Sequence, residues 1–198
     1  MPSRRFGIRQ GTKLRVIDDF SASGINDALA ASETIDPAAA DHIIANIRTH
    51  AQAFAQTDEM IDADSVLAGL ERHEDVKGDQ LVGRMFDLSN AYKNLAVQPS
   101  HYCFSVVVVW DPDGRAPAYF VQRSLPFGAS AAVLAFNWVA TAFHAVLATL
   151  FLLGLTNFYD DYVVIERLAL ADSAQEVFEG VFKILGWALK LCRGRPEV

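Results

Sequence analysis

Cysteine and positive charge are both scarce in this chain, and each shortage argues against a class of protein. The 198 residues include two cysteines, Cys103 and Cys192, whose separation matches no metal-ligand spacing. A disulfide scaffold is therefore not indicated, and a reducing intracellular compartment, either cytoplasmic or nuclear, is expected. The formal net charge of −7 disfavours a protein that binds nucleic acid by itself, because such proteins are usually basic.

Several familiar signals are also missing. The basic pair Arg4 and Arg5 near the N-terminus is not followed by an apolar run, so no signal peptide is predicted. The five histidines show no ligand spacing. The segment from Gly7 to Gly11 lacks the lysine and the helix that would complete a phosphate-binding loop. Neither a histidine-rich metal site nor a P-loop nucleoside triphosphatase is indicated.

Charge is absent altogether from the stretch between Ser124 and Tyr159. Within it, residues 131–155 are long and apolar enough to cross a bilayer, which takes roughly 20 residues. A long buried helix in a soluble core explains the same pattern, and Asn137 and His144 interrupt the apolar run. The buried helix is the favoured interpretation, and a membrane protein with a span at 131–155 is kept as an alternative.

Two adjacent acids, Asp160 and Asp161, are the most informative feature that the chain does contain. They lie between β-prone residues, in the pattern of a tight hairpin, although turns usually carry Gly, Asn or Pro. Neighbouring carboxylates repel each other unless a cation neutralises them. Asp87 ends a similar β-prone segment far upstream. Three acids from two strands can hold two Mg²⁺ ions for in-line phosphoryl transfer.

The remaining pattern predicts an α+β domain, in which helices cover one face of an antiparallel sheet. The predicted strands are a basic hairpin at 5–20, a strand at 81–86, a hairpin of 102–110 with 116–123, and the hairpin that carries the two acids. The predicted helices are 36–54, 57–72, 130–153 and 173–189, with a short helix or turn at 89–95.

Four short motifs occur in an order that carries more information than any one of them. They are Lys13-Leu14-Arg15-Val16-Ile17-Asp18, Phe86-Asp87-Leu88-Ser89-Asn90-Ala91-Tyr92, Leu125-Pro126-Phe127-Gly128 and Phe158-Tyr159-Asp160-Asp161. Together they resemble the fingers–palm region of a reverse transcriptase, the RNA-directed DNA polymerase of retrotransposon-like elements. The resemblance covers about residues 6–164.

The resemblance implies a polymerase palm with a ferredoxin-like core plus partial fingers. Residues 1–80 would form the partial fingers with a helical insertion, and residues 81–198 the palm. The thumb is absent from this pattern, so thumb and RNase H segments of a larger polyprotein are expected as partners. The other implied partners are an RNA template, a DNA or RNA primer, and dNTPs.

The same resemblance implies roles for the three acids. Asp87 and Asp160 would ligate two Mg²⁺ ions, with Mn²⁺ as a substitute, and Asp161 would assist or shape the turn. One ion would activate the primer 3′-hydroxyl, and the other would hold the triphosphate and the leaving pyrophosphate. Lys183 and Lys190 are both candidates for a general acid toward pyrophosphate.

Five further residues would bind the nucleotide. Tyr92 would lie under the incoming sugar and exclude a 2′-hydroxyl. Arg15, together with Lys13, would hold the triphosphate through charge-assisted hydrogen bonds. Phe127 and Gly128 would shape the pocket, since glycine permits a close backbone approach.

Departures from the family pattern leave alternatives open. Phe158 stands where tyrosine is usual, which removes a hydroxyl and keeps the ring. A catalytically inactive relic or fragment of a mobile-element polymerase would keep the same acids. An RNA-directed RNA polymerase is disfavoured, because its Asp-Asp pair normally follows glycine and Tyr159 stands here.

Overall fold

The computed structural model describes residues 2–28, 40–53 and 81–190, and its mixed α and β content agrees with the predicted α+β class. The strands are β1 (Ser3–Gln10), β2 (Lys13–Asp19), β3 (Leu81–Leu88), β4 (Val106–Asp111), β5 (Ala116–Val121), β6 (Gly154–Phe158), β7 (Asp161–Arg167) and β8 (Leu189–Lys190). The helices are α1 (Ile25–Ala28), α2 (40–53), α3 (Ser130–Leu150) and α4 (Ala171–Ile184), with 3-10 turns at Ala91–Asn94 and Pro99–Phe104.

These elements form two compact units. The first contains the described residues of 1–36 and 90–139, and the second those of 37–89 and 140–198. Both units draw on both halves of the chain. The assignment of residues 1–80 to the fingers and residues 81–198 to the palm is a functional division, which compactness alone does not test. It stays a prediction.

The first unit contains a four-stranded sheet in the order β2-β1-β4-β5. Strands β1 and β2 form the predicted hairpin, which turns at Gly11 with a φ of 59°. Strands β4 and β5 form the second predicted hairpin, but its first strand, predicted from residue 102, begins only at Val106, because residues 102–104 belong to a 3-10 turn. In its turn the Asp111 carboxylate accepts a hydrogen bond of 3.0 Å from the Asp113 amide. Strand β1 pairs with β4 in parallel, so this sheet is mixed and differs from the antiparallel sheet that was expected.

The core of the first unit lies where the chain leaves β2 and where α3 begins. Its buried members are Phe20, Ile25, Val107, Ala129 and Ala132. Small residues around the start of α3, Ala129 and Ala132, share this buried cluster with Phe20. This packing places the segment before α3, which carries part of the predicted nucleotide site, against buried structure.

The second unit contains an antiparallel sheet in the order β6-β7-β3-β8. The side of β7 that carries Tyr162 and Val164 is buried. Helix α4 contributes Phe178 and Phe182, and the Phe178 ring stacks on Phe86 with centroids 4.2 Å apart. Phe178 of α4 therefore packs against the strand that carries Asp87, one residue before it.

The end of the last helix differs from the prediction. Helix α4 stops at Ile184 and not at residue 189, because Gly186 adopts a φ of 77° and the Trp187 amide donates to the Phe182 carbonyl at 2.8 Å. This is the arrangement of a glycine C-cap, which terminates helices. The chain then turns back and forms β8 beside β3.

Smaller differences concern other element boundaries. Strand β3 continues through Leu88, two residues past its predicted end, and α3 ends at Leu150 and not at residue 153. Leu152 takes a φ of 55° just after α3, which breaks the helical path. The predicted helix 36–54 is represented by α2, and its predicted start lies outside the described residues. The predicted helix 57–72 lies outside them entirely.

Helix α3 lies within the long uncharged stretch of the sequence. Among the described residues it is the one helix whose length and apolar character would suffice to cross a membrane. Ala132 and Phe136 of its first half and Ala140 and Leu147 of its second half are buried in the protein. Only 28% of its apolar stretch is buried, however, so α3 is less buried than the favoured interpretation predicted, and the membrane alternative stays a prediction.

Candidate active site

The three acids singled out in the sequence meet at one end of the sheet in the second unit. Strands β3 and β7 pair in a register that places Asp87 directly opposite Asp161. Asp160 occupies the turn just before β7, and its backbone carbonyl accepts a hydrogen bond of 3.1 Å from the Leu88 amide. Residues that are distant in sequence are thus brought side by side by strand pairing.

The turn between β6 and β7 has an unusual backbone for its sequence. Phe158 pairs with Asp161, which leaves a two-residue turn of Tyr159 and Asp160. Tyr159 has a φ of 52°, a conformation that side chains other than glycine and asparagine rarely adopt. Such conformations cost energy, and they cluster where function requires a fixed geometry. The tight turn holds Asp160 and Asp161 at the end of the sheet.

The acids influence one another electrostatically. Partial desolvation, and then the negative charges of Asp160 and Asp87, raise the pKa of the Asp161 carboxyl above its usual range. The ammonium of Lys190 acts in the opposite direction. Partial burial and the neighbouring negative charges together disfavour ionisation of Asp161.

Lys190 is the residue that partly neutralises this charge. It lies on β8 opposite Asp87, and its Nζ donates to both carboxylate oxygens of Asp87, at 2.8 Å to Oδ1 and 2.7 Å to Oδ2. Sequence reasoning named Lys190 only as a candidate general acid, and the predicted helix through residue 189 gave no reason to pair it with Asp87. The one available signal was Gly186, which ends α4 and allows the chain to return to β3.

The site has the right ligand chemistry for a hard divalent cation. Carboxylate oxygens are the ligands that Mg²⁺ prefers, and the carboxylate of Asp87 is paired with the Lys190 ammonium. In the part of the chain that the structure describes, no three His, Cys, Asp or Glu side chains are placed to ligate one ion as they stand. Asp87 holds Lys190 in this arrangement, so its carboxylate would have to exchange the ammonium for a metal ion.

The predicted nucleotide-binding residues all lie in the first unit. Tyr92 is half-buried on a 3-10 turn and stacks on Phe136 with centroids 4.8 Å apart. The Phe127 ring meets Tyr92 edge-on at 5.8 Å and is 50% exposed. Gly128 follows with a φ of 108°. The structure therefore brings Tyr92 and the loop of Phe127 and Gly128 together.

Lys13 and Arg15 occupy a different kind of surface in the same unit. Both are exposed on β2, where they pair with Gln10 and Ile8 of β1. Their spacing of two residues places them on the same face of the strand. An exposed pair of cations on one strand face suits contact with an anionic ligand.

Asp18, the last residue of the basic motif, is buried and was not assigned a role from sequence. Its carboxylate accepts hydrogen bonds from Arg5 Nε at 2.7 Å and Arg5 Nη2 at 3.0 Å, and from Gln122 Nε2 at 2.7 Å. The hydrogen bonds to Asp18 raise the pKa of the Arg5 guanidinium, with burial acting against them. The bidentate pair links β1 to β2 within the hairpin, and the hydrogen bond from Gln122 ties the hairpin to the residue that follows β5.

Comparison with known proteins adds no relative. No protein-family model matches this chain, and a search of curated proteins found no match. The four motifs, and the geometry within each unit, are the features of this chain that indicate a function.

Proposed function

We propose that this chain is the core of an RNA-directed DNA polymerase, which extends a DNA or RNA primer on an RNA template with dNTPs and two divalent metal ions. The observation that carries the proposal is the register of β3 and β7, which sets Asp87 opposite Asp161 and beside the turn residue Asp160. These are the acids that the motif resemblance assigns to metal binding. Support comes from their convergence from distant parts of the chain.

The charge distribution supports the same proposal. Partial burial, and then the charges of Asp160 and Asp87, raise the pKa of Asp161, so an ionised Asp161 is destabilising at this end of the sheet unless a cation is present. Lys190 supplies only one positive charge to Asp87. Two divalent ions, when bound, would supply charge neutralisation of the transferring phosphoryl group and activation of the attacking hydroxyl. The three acids of this chain would hold the two ions in place.

The residues of the first unit would handle the nucleotide. The exposed cations Lys13 and Arg15 would bind the triphosphate, and Arg15 adds bidentate geometry that lysine lacks. Tyr92, fixed by stacking on Phe136, would present a rigid ring to the sugar. A ring that cannot move aside excludes a 2′-hydroxyl more effectively than a flexible side chain does.

The decisive test is primer extension on an RNA template with Mg²⁺ or Mn²⁺, with the wild-type chain, Asp160→Ala and Asp113→Ala. Asp113 is an exposed turn carboxylate in the first unit and serves as the matched control. We expect incorporation of dNTPs by the wild type and the control, and none by Asp160→Ala. Incorporation by Asp160→Ala at the wild-type rate would refute the catalytic assignment.

A second experiment addresses the sugar. In an active preparation, Tyr92→Val is expected to accept ribonucleotides more readily, while Tyr119→Val, which changes a 62% exposed tyrosine on β5, keeps the wild-type preference. Equal discrimination in the two variants would remove Tyr92 from the proposal. Absence of activity in every preparation would favour the relic or fragment, and the assay would be repeated with a longer chain.

A further inference from the structure

Asn26 makes hydrogen bonds that converge on the loop before α3. Its Nδ2 donates to the Gly128 carbonyl at 3.2 Å and to Ser21 Oγ at 3.0 Å. Its Oδ1 accepts from the Ser130 amide at 3.0 Å and from Ser130 Oγ at 3.4 Å. One half-buried side chain therefore holds both ends of the short segment from Gly128 to Ser130.

The contact with Ser130 satisfies a structural need of α3. The first amides of a helix have no partner within the helix, and a side-chain oxygen at the residue before the helix usually accepts from one of them. Ala129 precedes α3 and has no such oxygen. Asn26, more than a hundred positions away in sequence, supplies the oxygen in its place.

The other side of the loop rests against Asp18. A side chain at Gly128 would place its Cβ 2.5 Å from the Asp18 carbonyl oxygen, so glycine is required there on steric grounds as well as by its φ of 108°. Asp18 itself is fixed by Arg5 and Gln122. Gly128 is thus confined between the Asp18 backbone and the Asn26 side chain.

This confinement determines where Phe127 points. Phe127 is half exposed, and within the first unit its ring contacts Tyr92 edge-on. A loop anchored only by Phe127 would be free to move that ring, because an exposed aromatic contact contributes little ordering by itself. Gly128 and Ser130 are themselves exposed, so the hydrogen bonds of Asn26 and the close approach of Gly128 to the Asp18 backbone, and not burial, order the loop.

We infer that Asn26 is a positioning residue, which holds the Phe127–Gly128 loop against Tyr92 and thereby sets the affinity of the site for a deoxynucleoside triphosphate. This inference rests on the proposed function for its ligand. It assigns to Asn26 no contact with the nucleotide.

The test measures nucleotide binding directly, with equilibrium titration of N-methylanthraniloyl-dATP in the presence of Mg²⁺. Asn26→Ala is expected to weaken binding by about tenfold or more, since each hydrogen bond lost contributes a factor of roughly 2–10. Asn26→Asp keeps the acceptor for the Ser130 amide and loses both donors, so we expect an intermediate loss. Ser21→Ala, which removes only the outer contact, is the matched control and should bind within about twofold of the wild type.

Hydrogen exchange of residues 127–131 provides a readout that does not depend on nucleotide. Faster exchange there in Asn26→Ala than in Ser21→Ala supports the anchor, and unchanged exchange overturns it. If Asn26→Ala fails to fold, Asn26→Asp decides the question by the same two measurements. If the wild-type chain binds no nucleotide, both the proposed nucleotide site and the effect of Asn26 on its affinity are overturned. Hydrogen exchange would still show whether Asn26 holds the loop in place.

In steady-state extension, the expected signature is an increase in KM for dNTP with a much smaller change in kcat. Equal loss of kcat in Asn26→Ala and Asn26→Asp, with KM unchanged, would contradict a positioning role. A purely structural contribution would lower the amount of folded enzyme without altering KM, and thermal unfolding of each variant separates that case.

Discussion

Replacement of Asp161 by asparagine should stabilise the metal-free protein. Asp161 faces Asp87 across the β3–β7 pair and follows Asp160 in the chain. Like charges directly opposite each other in a sheet are destabilising, by an amount similar to the roughly 0.2–1 kcal/mol that opposite charges contribute. Asparagine keeps the shape of the side chain and removes its charge.

The expected magnitude is measurable by calorimetry. For a chain of this size, about 1 kcal/mol corresponds to roughly 2–4 °C in Tm, so Asp161→Asn in EDTA at pH 7 should melt about 0.4–4 °C above the wild type. Asp113→Asn, at the exposed turn between β4 and β5, is the control and should stay within about 1 °C. Equal or lower Tm for Asp161→Asn would refute the argument that the acids repel.

The pH dependence of stability tests independently whether the charge of Asp161 is destabilising. The pKa of Asp161 is raised in the folded state, so its contribution to stability is present below the unfolded value of about 4 and is lost as pH rises through the folded value. The advantage of Asp161→Asn should therefore shrink as pH falls from 7 toward 4. An advantage that is constant over this range would point to a cause other than charge.

Lys190 and a divalent ion should compete for the carboxylate of Asp87. Lys190→Met removes the cation from Asp87 and should lower Tm in EDTA slightly, because exposed ion pairs contribute about 0–1 kcal/mol. The same change should increase the stabilisation by Mg²⁺ or Mn²⁺, since the ion no longer displaces an ammonium. Asp161→Asn should decrease that stabilisation. Equal metal-induced shifts in wild type and both variants would exclude these residues from metal binding.

Three further predictions concern the packing of each unit. Tyr162→Phe removes the hydrogen bond of 3.1 Å from the hydroxyl to the Ala140 carbonyl and should cost about 1 kcal/mol in urea unfolding, and a loss below about 0.3 kcal/mol would contradict it. Burial, followed by the charge of Asp160, raises the pKa of Tyr162 well above its usual range, so wild-type stability should fall as pH rises above about 10, and less so in Tyr162→Phe. Gly128→Ala should cost about 2 kcal/mol or more because of its backbone and its closeness to Asp18, whereas Gly180→Ala, within α4 and with open space at its Cβ, should stabilise the protein by about 0.5–1 kcal/mol.

Local features of the fold were predictable from the sequence because each depends on neighbouring residues. The β1–β2 hairpin follows from alternating charge and a glycine turn, and the turn at Asp111–Gly114 follows from its side-chain chemistry. The long uncharged run predicted α3, and the adjacent acids predicted a turn after β6. The mixed pairing of β1 with β4 was missed, since nothing local to either strand records which strand lies beside it.

The sequence by itself determined the identity and order of the acids, their setting in β-prone segments, and hence the chemistry that they would perform with a cation. Only the tertiary structure decided that Asp87 faces Asp161, that Lys190 returns to Asp87, and that Asn26 holds Gly128 and Ser130. These contacts join residues that are distant along the chain. Their formation depends on strand register, on the glycine that ends α4 and on helix capping across the fold, and the energies of such contacts are set by geometry that no local pattern encodes.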